Sequence, residues 1–337
     1  YSHVNALSSA SQAYLVLGSE KHLRAARNGF GFVLAQSFAT GGWGPNEAFV
    51  EPGSGGLHDS LTGTHSSFET PCGSYGHFKI VRYLMRITGD GRYGDSMEKV
   101  LYNTILGADP IQPSGFSFYY SDYNNDGAKV YYPEQWPCCS GTFSQVTADY
   151  GISSYFGSRD GVAVNLFVPS RLKFRRQGVL VGLEQRTSYP YSGETTLRVT
   201  TESPQTFTIS LRVPAWAGQN TSLSVNGSRW SGELRPGSFA SVRREWKNGD
   251  TIEYSIDRVK RLEAVDPQHP NTVALFSGPL TLFAVNSPES RFTRAQLLAA
   301  KQKGGPWTAN SASTPVSFKA FPDIRHERYR LYHDVPA

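Results

Sequence analysis

Three cysteines and two methionines are all the sulfur in 337 residues. An odd count leaves no complete disulfide framework, so a small stapled module is excluded. No run of about 18 apolar residues occurs, which excludes a membrane-spanning helix. Dense charge is missing too. Lys and Arg number 33 against 28 Asp and Glu, a net charge of +5, and the basic residues are scattered. A nucleic-acid surface needs tighter clustering, so the expectation is no nucleic acid and no membrane, with the cytoplasm or periplasm favoured over a membrane. The chain carries no initiator methionine and no signal-peptide pattern at its start.

What is present suits a packed globular protein. Hydrophobic residues make up 39% and aromatics 13%, so a core forms and disorder is not the default. The pattern then changes along the chain. Residues 1–157 read as helical hairpins. An apolar helix over Ser8 to Leu17 stops at Gly18, and Ser19 stands where it can cap the next helix. A second helix runs from Phe78 to Ile87 and ends at Gly89, with Asp90 opening the next. The two joints make a weak internal repeat of the stacked-helix type. A last helix follows the cysteines, over about 140–156. Between the helices lie glycine- and aromatic-rich loops at 38–67 and 109–137, long enough to suggest function.

From residue 160 the period falls from 3.6 to 2. Val162–Val168, Thr196–Thr200 and Thr206–Val213 read as strands, with turns at Asn226-Gly227 and Asn248-Gly249. Short strands with regular turns mean a β-sandwich. The predicted architecture is α + β multidomain: a partial (α/α)6 barrel over 1–157, then an antiparallel β-sandwich over 158–337 with an excursion at 286–316. Too few helices are present to close a ring, and further helices are expected to precede Tyr1 in a longer protein.

The chemistry concentrates at the cysteines. Glu69-Thr70-Pro71-Cys72 puts a carboxylate three residues before a thiol, on one face if helical. Cys138 and Cys139 are adjacent and rarely pair with each other. Three sulfurs and one carboxylate make a full tetrahedral zinc shell. Three buried free cysteines are the alternative that spacing leaves open. Helix N-termini at both places would favour thiolates. Such an electron-rich metal would activate water poorly and hold a sulfur ready as a nucleophile. Glu47 follows a Gly-Gly-x-Gly turn beside Ala48 and Phe49 and is a candidate general acid. His3, His58, His65 and His77 lie near the same segments. Histidines there can bind sugar hydroxyls or serve structure, as can Tyr119 and Tyr120.

Taken together, these segments resemble glycoside hydrolase family 127, the β-L-arabinofuranosidase-like family, and its neighbour family 146. The resemblance runs through Ser2-His3-Val4-Asn5, Gly41-Gly42-Trp43-Gly44 with Glu47, Glu69-Thr70-Pro71-Cys72, Thr88-Gly89-Asp90, Leu101-Tyr102-Asn103, Phe118-Tyr119-Tyr120, Cys138-Cys139-Ser140-Gly141 and Gly278-Pro279-Leu280. It implies zinc on Glu69, Cys72, Cys138 and Cys139. It also implies Cys138 as nucleophile and Glu47 as general acid/base, with His3, His65 and Tyr120 on the sugar. The implied partner is a plant-type or other furanose-containing glycan, and a homo-oligomer is left open. Here Thr70 and Pro71 separate the first two ligands, where typical members have one residue. The rival readings are a toroid-plus-sandwich polysaccharide lyase, which has no use for the cysteines, and a carbohydrate-binding module without turnover.

Overall fold

A computed structural model describes residues 1–287, 291–302, 304–311 and 314–336. It holds mixed α and β structure, with seven α-helices among the described residues. Contacts divide it into two compact units. One contains residues 1–84, 96–149 and 260–337; the other contains 85–95 and 150–259.

The first unit carries most of the helices. These are α1 (Ser2–Leu17), α2 (Glu20–Leu34), α3 (Gly56–Gly63), α4 (Thr70–Thr88), α5 (Gly91–Asn103) and α6 (Cys138–Ile152). α1 and α2 form a hairpin turned at Gly18, whose φ of 67° closes α1 in the left-handed conformation that glycine adopts without penalty. Ser19 takes the N-cap position of α2, but its side chain makes no cap bond. α2 buries Leu23, Ala26, Phe30 and Val33, the i, i+3, i+7, i+10 face of an amphipathic helix. α6 starts at Cys138 itself, two residues earlier than expected, and ends at Ile152 rather than 156. Pro137 explains the early start: its carbonyl accepts from Ser140 N across 3.0 Å, closing the first turn over the cysteine pair.

Residues 260–337 add an eight-stranded sheet to this unit, in the order Lys260–Ala264, Thr272–Ser277, Leu280–Val285, Pro315–Ala320, Trp307–Asn310, Lys301–Gln302; Tyr329–Arg330 pairs with Leu280–Val285 and Tyr332–Asp334 with Thr272–Ser277. The two central strands are buried at every position, as expected of a sheet covered on both faces. Asn103, at the end of α5, fixes the sheet. Its Nδ2 donates to Pro279 O (2.9 Å) and its Oδ1 accepts from Thr281 N (2.8 Å) and Thr281 Oγ1 (2.9 Å). Within the segment read as an excursion, the described residues hold α7 (Arg294–Leu298), closed by a Thr293/Gln296 capping box, and two of the sheet's strands. Residues 288–290, 303 and 312–313 of that segment lie outside the described residues.

The second unit holds two sheets. The six-stranded one is ordered Ser228–Arg229, Ser222–Val225, Thr251–Ser255, Glu194–Thr201, Val179–Thr187, Ser170–Arg176; the four-stranded one is ordered Ser238–Trp246, Gln205–Val213, Gly161–Val164, Tyr155–Gly157. Phe174 of one meets Phe207 of the other edge-on at 5.6 Å, and Tyr254 Oη donates to Arg212 O. The pairing is not wholly antiparallel. Gly161–Val164 runs parallel to Gln205–Val213, with Gly161 opposite Thr208. A side chain on Gly161 would put its Cβ 1.9 Å from Thr208 O, so the close approach needs glycine there.

Candidate active site

The site is assembled in the first unit by a minimal piece of sheet. Phe68–Glu69 pairs with Tyr120–Ser121, with Glu69 opposite Tyr120. Thr70 N donates to Tyr119 O (2.7 Å) and Thr70 Oγ1 accepts from Ser121 N (2.9 Å). α4 begins at Thr70, directly after Glu69. Glu69 therefore stands in extended chain and not on a helical turn with Cys72. Pro71 falls in the first turn of α4, where its missing N–H has no helical partner to lose. The two-residue spacing is thus absorbed before the helix is regular.

Four donor atoms converge. Cys72 Sγ lies 3.6 Å from Cys138 Sγ and 3.5 Å from Cys139 Sγ. Glu69 Oε1 lies 3.5 Å from Cys139 Sγ and 3.7 Å from Cys138 Sγ. All four ligand atoms fall within 4.8 Å of one another. Zinc–sulfur and zinc–oxygen bonds of about 2.3 and 2.1 Å at tetrahedral angles require donor separations of about 3.8 Å between sulfurs and about 3.6 Å from sulfur to oxygen. The four spacings given are within a few tenths of an ångström of those edges, and the thiolate-rich donor set suits that metal. Cys72 stands in the first turn of α4 and Cys138 and Cys139 open α6, so both helix N-termini favour sulfur anions here.

The sulfurs are not equivalent. Cys72 and Cys139 are buried and Cys138 is exposed. The hydrogen bond with Cys139, aided by Thr142, holds the Cys72 thiol below its ordinary range. The same bond with Cys72 pushes Cys139 far up, while burial is the largest influence raising Cys138.

Glu47 reaches this cluster from the 38–67 loop. Its own φ is 58° and that of Asn46 is 54°, a left-handed pair that costs energy at residues other than glycine. The turn is braced from one side: Asn46 N donates to Ser66 O (2.8 Å), and Thr64 Oγ1 donates to Asn46 Oδ1 (2.8 Å). Gly44 precedes it at φ 65°, where a Cβ would stand 2.1 Å from Ala48 O. The Glu47 side chain is exposed, not sunk among the apolar loop residues. Its Oε1 accepts from Tyr119 Oη (3.1 Å) and Tyr120 Oη (2.5 Å). Tyr119 Oη also stands 3.7 Å from Cys138 Sγ. Glu47 and Cys138 are therefore no farther apart than those two contacts laid end to end.

His3 packs edge-on against Phe49 at 5.9 Å, two residues from Glu47. His65 is drawn to Asp122, with Nδ1 and Oδ2 2.8 Å apart, and sits between the two residues that brace Asn46. Its hydrogen bond is to Asp122 and not to the sulfurs. His77 is buried on Ser96 and His58 stacks on His269 at 3.7 Å. Sequence reasoning undervalued Tyr119, which touches both Glu47 and Cys138, and passed over Tyr132, stacked on Tyr119 at 4.3 Å. It also missed Thr142, whose Oγ1 lies 3.0 Å from Cys72 Sγ. Helical spacing from Cys138 could have found Thr142; nothing local in the sequence marks the two tyrosines.

Comparison with known proteins bears on the chain's family and fold. Residues 4–152 match the family model "Beta-L-arabinofuranosidase, GH127 catalytic domain", and residues 161–258 match the GH127 middle domain. No curated protein matches the chain in sequence. Among solved structures it is similar to a GH127 β-L-arabinofuranosidase from Geobacillus stearothermophilus T6, with TM-score 0.79 and 20% identity over 98% of this chain and 59% of that one. A GH127 β-arabinofuranosidase gives TM-score 0.79 and 22% identity over 99% and 59%. A glycoside hydrolase gives 0.78 and 18% over 98% and 65%. These likenesses establish the fold, and the chain spans about three-fifths of the length of the structures it resembles. With catalytic-domain and middle-domain models matched in chain order over most of its length, the chain belongs to glycoside hydrolase family 127.

Proposed function

We propose that this protein is a retaining glycoside hydrolase acting on arabinofuranose-containing glycans, with Cys138 as nucleophile and Glu47 as general acid/base. The observation that carries this is the exposed sulfur of a four-donor cluster joined through one tyrosine hydroxyl to an exposed carboxylate. The helical hairpins are taken as an arc of the family's (α/α)6 barrel.

Glu69, Cys72, Cys138 and Cys139 would hold zinc, which when bound supplies positive charge that keeps the Cys138 sulfur anionic and stabilises it as a leaving group. The Cys138 thiolate attacks the anomeric carbon as the bond to the leaving oxygen breaks, and Glu47 gives that oxygen its proton. A water then attacks the same carbon, Glu47 takes the water's proton, and the carbon–sulfur bond breaks with its electron pair returning to sulfur. Two inversions leave the configuration retained. The bound set by Tyr119 leaves room for the roughly 5 Å spacing of a retaining pair. Tyr119 and Tyr120 orient the Glu47 carboxylate, and Tyr132 backs Tyr119. His3 and Tyr120 are assigned to the sugar, as is His65, acting from the brace beneath the Glu47 turn.

The test is metal content and furanosidase activity measured together. About one zinc per chain is expected, with activity on a β-L-arabinofuranoside lost on chelation and restored by zinc. A folded protein that holds no zinc, or that keeps full activity after chelation, would refute the reading.

A further inference from the structure

One turn beyond the cysteine pair, Thr142 turns its hydroxyl towards a sulfur on the other helix. Thr142 Oγ1 stands 3.0 Å from Cys72 Sγ, against 3.4 Å from each of the carbonyls of Cys138 and Cys139. A hydroxyl has one proton to give. In a helix interior it ordinarily goes to the carbonyl one turn back. Here both carbonyls are at the far limit and the sulfur is close, and a charged acceptor outcompetes a neutral one. The same accounting applies at Cys138. Its neighbouring hydroxyl, on Tyr119, is farther from the sulfur, at 3.7 Å, than from Glu47 Oε1, at 3.1 Å. Tyr119 gives its proton to the carboxylate, so of these two hydroxyls Thr142's serves Cys72 and Tyr119's reaches Cys138 only at 3.7 Å.

We propose that Thr142 is a positioning residue for the metal cluster: its hydrogen bond fixes the Cys72 sulfur and draws charge from it, leaving Cys138 richer in charge than Cys72. This rests on the zinc reading above. The bond makes Cys72 a poorer donor to the metal and so favours charge transfer from Cys138. It also divides the labour between Cys72 and Cys138, two of the three sulfurs that would share one ion, the first kept as a ligand and the second free to react.

The test compares Thr142→Val, which keeps the shape and removes the hydroxyl, with Thr142→Ser, which keeps the hydroxyl. Zinc affinity is measured by competition with a chromophoric chelator, and the thiolate-to-metal charge-transfer band is recorded on the cobalt(II)-loaded protein. T142V is expected to bind zinc about tenfold more weakly, because losing the fixed position of the Cys72 sulfur outweighs its gain in donor strength, and to shift the band to lower energy, while T142S matches the wild type in both. Thr142→Ala removes the same hydroxyl without a second methyl near the sulfur, and must move both readouts in the same direction. Unchanged affinity and an unshifted band in T142V and T142A would overturn the proposal while leaving the zinc site standing. A wild type that binds neither metal would overturn both, so the two failures are distinguishable.

Discussion

Tyr119 donates its hydroxyl proton to Glu47 across 3.1 Å. That bond ties a carboxylate on one loop to a ring wedged against the cysteine cluster, and it sets where Glu47 can act. Tyr119→Phe keeps the ring and its stack on Tyr132 and removes the tie. The expected outcome is a fall in kcat of about tenfold to a hundredfold with KM little changed and zinc content unaltered. Steady-state kinetics beside metal analysis checks it. A loss confined to KM would place Tyr119 in ground-state binding instead.

Gly44 is the residue on which the Glu47 turn depends. Gly44→Ala adds a Cβ that would stand 2.1 Å from Ala48 O, at a φ of 65°. The turn must open, displacing Glu47 while the sulfurs stay in place. A displacement of about 1 Å costs roughly a hundredfold in rate, so kcat/KM is expected to fall by about that factor with zinc affinity unchanged. Kinetics and metal titration on the same preparation decide it.

Asn103 bonds α5 to the eight-stranded sheet through Pro279 and Thr281, and it is fully buried. Asn103→Ala strands a buried carbonyl and a buried N–H, each costing about 1–3 kcal/mol. A loss of ~2–4 kcal/mol is expected, read from the urea midpoint at unchanged m-value.

Two buried histidines set an acid limit. Burial lowers His77 to about 4 and His333 to about 3, from 6.5. The unfolded chain therefore binds more protons than the folded one between pH 6.5 and those values. Stability is full above 6.5 and falls as the pH is lowered through that window, by on the order of 3 kcal/mol for His77 and about 5 kcal/mol for His333 over their full windows. Denaturation at pH 7 and pH 4.5 measures the change. His333→Phe, which keeps an apolar ring beside Phe292 and Phe318, should flatten the profile.

The change of period near residue 160 and the helical hairpins before it were legible because amphipathic spacing and glycine stops are local. The convergence of Glu69, Cys72, Cys138 and Cys139 was legible through resemblance. Spacing alone left three buried thiols as an alternative, since the cluster is closed by a two-residue strand pairing that no periodicity marks. The sheet of residues 260–337 groups by contacts with residues 1–84 and 96–149, a grouping the sequence does not mark for a related reason. Its strands look alike in either setting, and the Asn103 bonds that attach it to α5 join residues about 180 apart. Tyr119 was undervalued because its worth comes from standing between Glu47 and Cys138, a relation that exists only in the fold.

The identity of the nucleophile is tested most directly by trapping it. Glu47→Gln, given a β-L-arabinofuranoside with a strongly acidic phenol leaving group, forms the first intermediate without needing the acid and hydrolyses it slowly for want of the base. Peptide mass mapping of the quenched protein is expected to show one arabinosyl unit on the peptide holding Cys138, absent in the Glu47→Gln/Cys138→Ser variant. Sugar on any other residue, or turnover with inverted product and no adduct, would contradict a cysteine nucleophile.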